Sequence, residues 1–151
     1  MKHLFWSAML SLTPLSAHAS SHDVYGLWMS EAKDGHIEVS DCGDGTPCGT
    51  LVWVDPQKAD TLLDSRNKKE ELRSRALVGV PIIWNFERSQ KGWKSGKIYN
   101  PEDGKTFTAR IKRQDADHLQ VKGCLGVICI TNIWTRVASS EPINQQFKDG
   151  R

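Results

Sequence analysis

The chain has 151 residues, 25% of them charged and 38% hydrophobic, with four cysteines and a formal charge of +2. That length suits one domain. The near-balance of charge argues against a nucleic-acid binder, and against a protein held on an acidic membrane by charge alone.

The first residues read as a processing signal. Met1-Lys2-His3 is a short positive start, residues 4–17 are largely apolar, and Ala17-His18-Ala19 is an A-x-A site followed by the polar "SSHD". This is the three-part pattern of a secretory signal peptide over residues 1–19, with cleavage expected after Ala19. Pro14 and the small-residue end suit export better than a buried helix. The apolar run is also shorter than the roughly 18–20 residues a membrane span needs. No cysteine precedes Cys42, so no thiol near the cleavage site could carry a lipid. The product is expected in the periplasm or secreted. Losing the leader removes one lysine and no carboxylate, so the balance of charge barely changes.

From there short strand-like runs alternate with turn signals, the pattern of a sandwich or barrel. Strands are expected over 25–30, 36–40, 50–54, 80–87, 94–99, 106–113, 118–124 and 128–137. In 80–87 the alternation places Ile82, Trp84 and Phe86 on one side. In 106–113, Phe107, Ala109 and Ile111 oppose Thr106, Thr108, Arg110 and Lys112. Asn100-Pro101-Glu102-Asp103-Gly104 is a strong hairpin signal. Eight antiparallel strands with hairpin links commonly remove their edges by closing into a barrel. The long, charged stretch 55–79 breaks the pattern. Asn67 and Glu70 resemble a capping box and Glu71 and Arg75 are spaced i,i+4, which predicts a short helix over about 68–77, ended by Gly79. Such a segment would plug or cover one barrel end. The domain is expected over 20–138, with a polar tail at 139–151.

An even cysteine count in an exported chain reads as disulfides. Cys42, Cys48, Cys124 and Cys129 allow three pairings. Spacing favours Cys42 with Cys48 and Cys124 with Cys129, each bracketing a short turn-rich loop. Neither pair is the C-x-x-C of a redox motif. His22, His36 and His118 are too scattered for a zinc site. Asp41, Asp44 and Gly45 lack the closing Glu of a calcium loop. No metal and no cofactor is expected.

Gly26-Leu27-Trp28 and Trp134-Thr135-Arg136 resemble the G-x-W and late arginine of lipocalin-like barrels, in which the indole lies at the barrel floor under a guanidinium. That resemblance assigns structural roles to Trp28 and Arg136. Most of the mature chain, about 25–137, also resembles the secreted bacterial family catalogued as domain of unknown function 2147. The resemblance is carried by Cys42-Gly43 and Cys48-Gly49 leading into Leu51-Val52-Trp53, by Leu77-Val78-Gly79 before Pro81-Ile82, by Trp93 and Gly96, by "KIYNPEDGKTF" at 97–107, by Leu119-Gln120-Val121-Lys122-Gly123 and by Trp134-Thr135-Arg136. Phe107 stands where that family often has Tyr. The resemblance implies a small exported barrel and no activity. Together these readings predict an all-β chain: an antiparallel, lipocalin-like barrel of about eight strands, with one short helix in a long connection.

No nucleophile elbow and no phosphate-cradling glycine loop is present. Glu102 and Asp103 fall on a hairpin tip, and His36 and His118 beside turns, so no enzyme is expected. The aromatic residues Trp53, Trp84, Phe86, Tyr99 and Phe107 fall on strands. They either fill the interior or line a pocket, with Asn85 and Asn132 as polar anchors. The first expectation is therefore a binding protein for a small apolar or amphipathic ligand. The alternative is a filled-core module that contacts an envelope or host protein through its surface or through 56–78, with Arg66, Lys68, Lys69, Arg73 and Arg75 as the contacts. No nucleic-acid partner and no membrane span is expected.

Overall fold

The computed structural model describes residues 20–138, so the leader expected at 1–19 and the tail at 139–151 lie outside the described residues. The β-segments are β1 (Gly26–Met29), β2 (Gly35–Asp41), β3 (Pro47–Val54), β4 (Pro81–Trp84), β5 (Glu87–Ser89), β6 (Gly92–Asn100), β7 (Lys105–Arg113), β8 (His118–Leu125) and β9 (Ile128–Arg136). Neighbours run β4-β3-β2-β1-β9-β8-β7-β6-β5, and a β4–β6 pairing closes the ring. Every pairing is antiparallel.

β4 and β5 lie on the same edge of β6. Ile83 faces Ile98, and Arg88 faces Trp93. They are two halves of one stave, parted at Asn85, whose φ is 59°. Counted this way the barrel has 8 strands, as the turn spacing predicts. The simple alternation expected over 80–87 does not hold. Ile82 and Ile83 are both buried, Trp84 is only half-buried, and Phe86 returns to the core. A register shift opposite Gly49 and Thr50 sits beside the first pair, and a left-handed residue such as Asn85 resets which side the chain presents.

The helix expected near 68–77 is absent. Only one 3-10 turn, Glu70–Leu72, forms there, with no side-chain cap. Asn67 Oδ1 accepts the Lys69 N–H, and Asn67 Nδ2 donates to Asp64 and to Tyr99. Segment 55–79 instead runs as a strap, pinched by an antiparallel bridge between Leu63 and Ala76. A short helix has a costly nucleus, and polar bonds to the barrel hold the strap better than a lone turn would. No helix among the described residues is long and apolar enough to cross a membrane.

The barrel is packed in one half. Val24, Trp28, Val39, Ile111 and Leu119 are all but fully buried there. Inward positions follow the period of 2 that pleating imposes: Ala109 and Ile111 on β7, Leu119 and Val121 on β8.

Both local disulfides form. Cys42–Cys48 ties β2 to β3 with Cα atoms 5.2 Å apart, and Cys124–Cys129 crosses the β8–β9 hairpin with Cα atoms 4.0 Å apart. Each closes a small ring, worth about 2 kcal/mol on the chain-entropy view. Replacing both Cys42 and Cys48 by serine is expected to lower unfolding free energy by about that amount, read as a shift in the urea midpoint under non-reducing conditions.

Candidate functional site

The closed end is built around Trp28. Its ring is buried, and its Nε1 donates to the Val24 carbonyl at 2.8 Å. The Arg136 guanidinium lies over the ring, 4.3 Å from the centroid, with Arg113 at 5.9 Å. Trp28 and Arg136 are direct register partners on β1 and β9. Arg136 also donates to the carbonyls of Ala116 and Tyr25. Burial, and then the charge of Arg113, hold its pKa below the usual arginine value. Gly26 belongs to this device. Its φ is +125°, and a Cβ there would strike Arg136 Nη1, so the glycine of G-x-W is required by conformation and by space. Arg113 is steadied by Asp23, at 2.7 Å. No sequence pattern singled out that pair, since the two residues lie far apart in the chain.

The other half of the barrel is hollow. It holds a cavity of about 800 Å³. Ile37, Leu51, Ile98, Phe107 and Val121 form much of its wall, Trp134 closes its inner end, and Asn132 is the polar group on β9. Gly123 helps to leave this space open. A Cβ there would meet Ile98 and Phe107 only at ordinary contact distances, 3.4 and 3.7 Å. The mouth is framed by residues 30–34, by 100–103, by the β8–β9 hairpin tip and by the strap, which contributes Lys58, Leu63, Arg66 and Leu77.

Of the aromatic candidates, Phe107 and Tyr99 line the cavity; Trp53, Trp84 and Phe86 are not among the residues that do. Trp53 lies against His36, with ring centroids 4.5 Å apart. Trp84 is half-buried opposite Lys97. Phe86 fills the space left by Gly96, where a Cβ would overlap its ring. Asn132 faces the cavity, whereas Asn85 is exposed at the break between β4 and β5. Ile37, Leu51, Ile98, Val121 and Trp134 line the cavity without having been singled out. Strand parity marks such residues as inward, but not as bordering a void.

Tyr99 has a second partner set at the rim. Its hydroxyl donates to Asp64 Oδ1 at 2.5 Å. Asp64 is fully buried, and its Oδ2 accepts from Asn67 Nδ2 at 2.7 Å and from Arg75 at 2.8–2.9 Å. Burial first, and then the Asp64 carboxylate, push the Tyr99 pKa up to about 12. The turn after Tyr99 completes the seat. Arg66 donates to the Glu102 carbonyl, and at Gly104, with φ +67°, a Cβ would collide with the Arg66 carbonyl. The block "IYNPEDGK" is thus the socket in which the strap sits.

Residues 26–136 match the family described as "Uncharacterized protein conserved in bacteria (DUF2147)". The chain belongs to this family. No curated protein matches it. Among solved structures it is similar to protein HP1028 from the human pathogen Helicobacter pylori, described as belonging to the lipocalin family. The TM-score is 0.66 at 20% identity, covering 78% of this chain and 85% of that one. At that identity the likeness shows the fold alone: this member of the family is a lipocalin-like barrel. Its two disulfides fit an oxidising, extracytoplasmic compartment.

Proposed function

We propose that the protein is a non-enzymatic binding protein of the periplasm or secreted medium, holding one small apolar or amphipathic molecule in the hollow half of the barrel. The observation that carries this reading is the cavity. At about 800 Å³ it falls in the range of roughly 300–1,000 Å³ typical of ligand pockets. Its wall is mainly aliphatic and aromatic, with Asn132 positioned to orient a polar end. The lipocalin-like fold is compatible with the same use. A non-catalytic role is supported by the histidines. His118, the first residue of β8, is held by Asp115 at 2.8 Å, and His36 lies against Trp53; neither is among the cavity-lining residues.

The test uses the exported protein and an environment-sensitive apolar fluorophore, with native mass spectrometry to detect any co-purified molecule. Gly123→Leu sends its side chain into the cavity from a position that tolerates a Cβ. It is expected to keep the barrel's circular dichroism spectrum and to weaken fluorophore binding at least tenfold. A wild-type protein that binds no apolar probe, or a folded Gly123→Leu that binds as well as wild type, would refute the proposal.

The filled-core alternative draws less support. Three of its candidate contacts hold the strap in place: Arg66 pairs with Asp60, Arg73 donates to the Asn67 carbonyl and Arg75 pairs with Asp64. Reversing their charge would loosen the strap whether or not a partner exists. Lys68 and Lys69 remain as exposed contacts for one.

A further inference from the structure

The β8–β9 hairpin outruns its neighbour. β9 spans Ile128–Arg136, yet β1 pairs only with Thr135 and Arg136. Beyond that level one edge of β9 faces no strand among the described residues. The hairpin register says which backbone groups point there. Leu125 pairs with Ile128 across the tight turn at Gly126 and Val127. In such a turn the flanking pair exchanges both ladder bonds, and bonded pairs then alternate along the hairpin. Cys129, Thr131 and Ile133 therefore turn their N–H and C=O groups away from β8. The Ile133 N–H confirms the phase: it donates to the Glu31 carboxylate at 3.2 Å. Among the described residues, no group meets the outward backbone of Cys129 or Thr131.

Among the described residues, this edge is covered only where Glu31 meets the Ile133 N–H. Strands left open in monomers are blunted by lysine, proline, bulges or inward charges. Here the run is Ile128-Cys129-Ile130-Thr131-Asn132, uncharged and rich in β-branched residues. Val127, Ile128 and Ile130 are 99%, 72% and 68% exposed. The Cys124–Cys129 disulfide clips the hairpin just below its tip.

The geometry points to a second copy of this chain as the partner: β9 adds antiparallel to β9 of that copy across a two-fold axis. With Ile130 facing its own counterpart, Cys129 faces Thr131 of the second copy, and Thr131 faces Cys129 of the second copy. Every outward N–H and C=O of these residues is then matched, because an antiparallel strand pair about a two-fold is self-complementary. Ile130 meets an equally apolar side chain, and no charge lies within 128–132 on either copy to oppose the contact. So short a seam buries less than the roughly 1,200 Å² of a standard stable interface, so the dimer is weak and depends on concentration. It places two cavity mouths side by side, because Ile128 and Ile130 also line the cavity.

Sedimentation velocity on the exported protein over a concentration series tests this independently of ligand binding. The wild type is expected to shift toward twice the monomer mass as concentration rises. Thr131→Val keeps the N–H and should shift likewise. Thr131→Pro lacks the N–H on the open edge while leaving the bonds to β8 in place, and should stay monomeric with an unchanged circular dichroism spectrum. A wild type that is monomeric at every concentration overturns the proposal, as does a folded Thr131→Pro that dimerises like wild type. If the proline variant fails to fold, amide exchange in the wild type decides. Protection at Cys129 and Thr131 that rises with concentration supports the seam, and protection that does not change with concentration overturns it.

Discussion

Replacing Trp28 by alanine is expected to cost about 3–5 kcal/mol of folding stability, the upper range for buried aromatic truncations. The reasons are cumulative. The change opens a void where the side chain is now fully buried, and it leaves the Val24 carbonyl without its indole donor. It also removes the π face beneath Arg136, a contact worth about 0.5–2 kcal/mol in its own right. Burial already disfavours that guanidinium's charge, and Arg113 adds repulsion. A domain of this kind has about 5–15 kcal/mol in hand, so the loss is a large fraction of the total. Urea denaturation followed by tryptophan fluorescence and circular dichroism should show a much lower midpoint with a similar slope. A midpoint within experimental error of wild type would mean that the closed end is not held by this contact.

Asp64→Ala is expected to cost about 2–4 kcal/mol, because it strands the partners of a buried, charged acceptor. Arg75, Asn67 and the Tyr99 hydroxyl all converge on Asp64. Losing it should free the strap at the cavity mouth before it unfolds the barrel. Amide exchange should therefore accelerate across 60–78 and change little in β7 and β8. The same cluster predicts a pH effect. In the folded protein, burial and the Asp64 carboxylate push the Tyr99 pKa up to about 12, from the ordinary tyrosine value of about 10. Below pH 10 the phenol is protonated in both folded and unfolded chains, and its contribution is fully present. Between about pH 10 and 12 the unfolded chain loses the proton first, so stability falls as pH rises through that window. Tyr99→Phe should show a shallower decline there. Equal declines in the two proteins would show that the hydroxyl is not coupled to Asp64.

The parts of the fold that could be read from the chain are those with short-range signals. Cysteine spacing predicts both disulfides, because each pair spans only one turn. Alternation over 106–113 places Phe107, Ala109 and Ile111 inward as observed, because β7 is uninterrupted. Over 80–87 the same rule fails, because the ladder shifts register opposite Gly49 and Thr50 and Asn85 takes a left-handed conformation, neither of which periodicity announces. The expected helix near 68–77 fails for a different reason. Asn67, read as a cap, is bound to Asp64 and to Tyr99 on another element. A charged run with no apolar period gives no sign that one of its carboxylates, Asp64, will be fully buried.

Strand count and the two clips were determined by the sequence alone, because each depends on local backbone preference or on spacing, and closure follows because eight hairpin-linked strands remove their edges in that way; the Trp28–Arg136 floor was implied by the resemblance to lipocalin-like barrels. Which inward positions border empty space, how the strap is seated and where β9 lacks a neighbour among the described residues were decided only by the tertiary structure. These depend on the sum of side-chain volumes across the barrel, on strands of unequal length and on bonds between residues far apart in the chain. Tyr99 shows the difference: as a residue it is an aromatic on a strand, and only the folded barrel brings Asp64 to its hydroxyl.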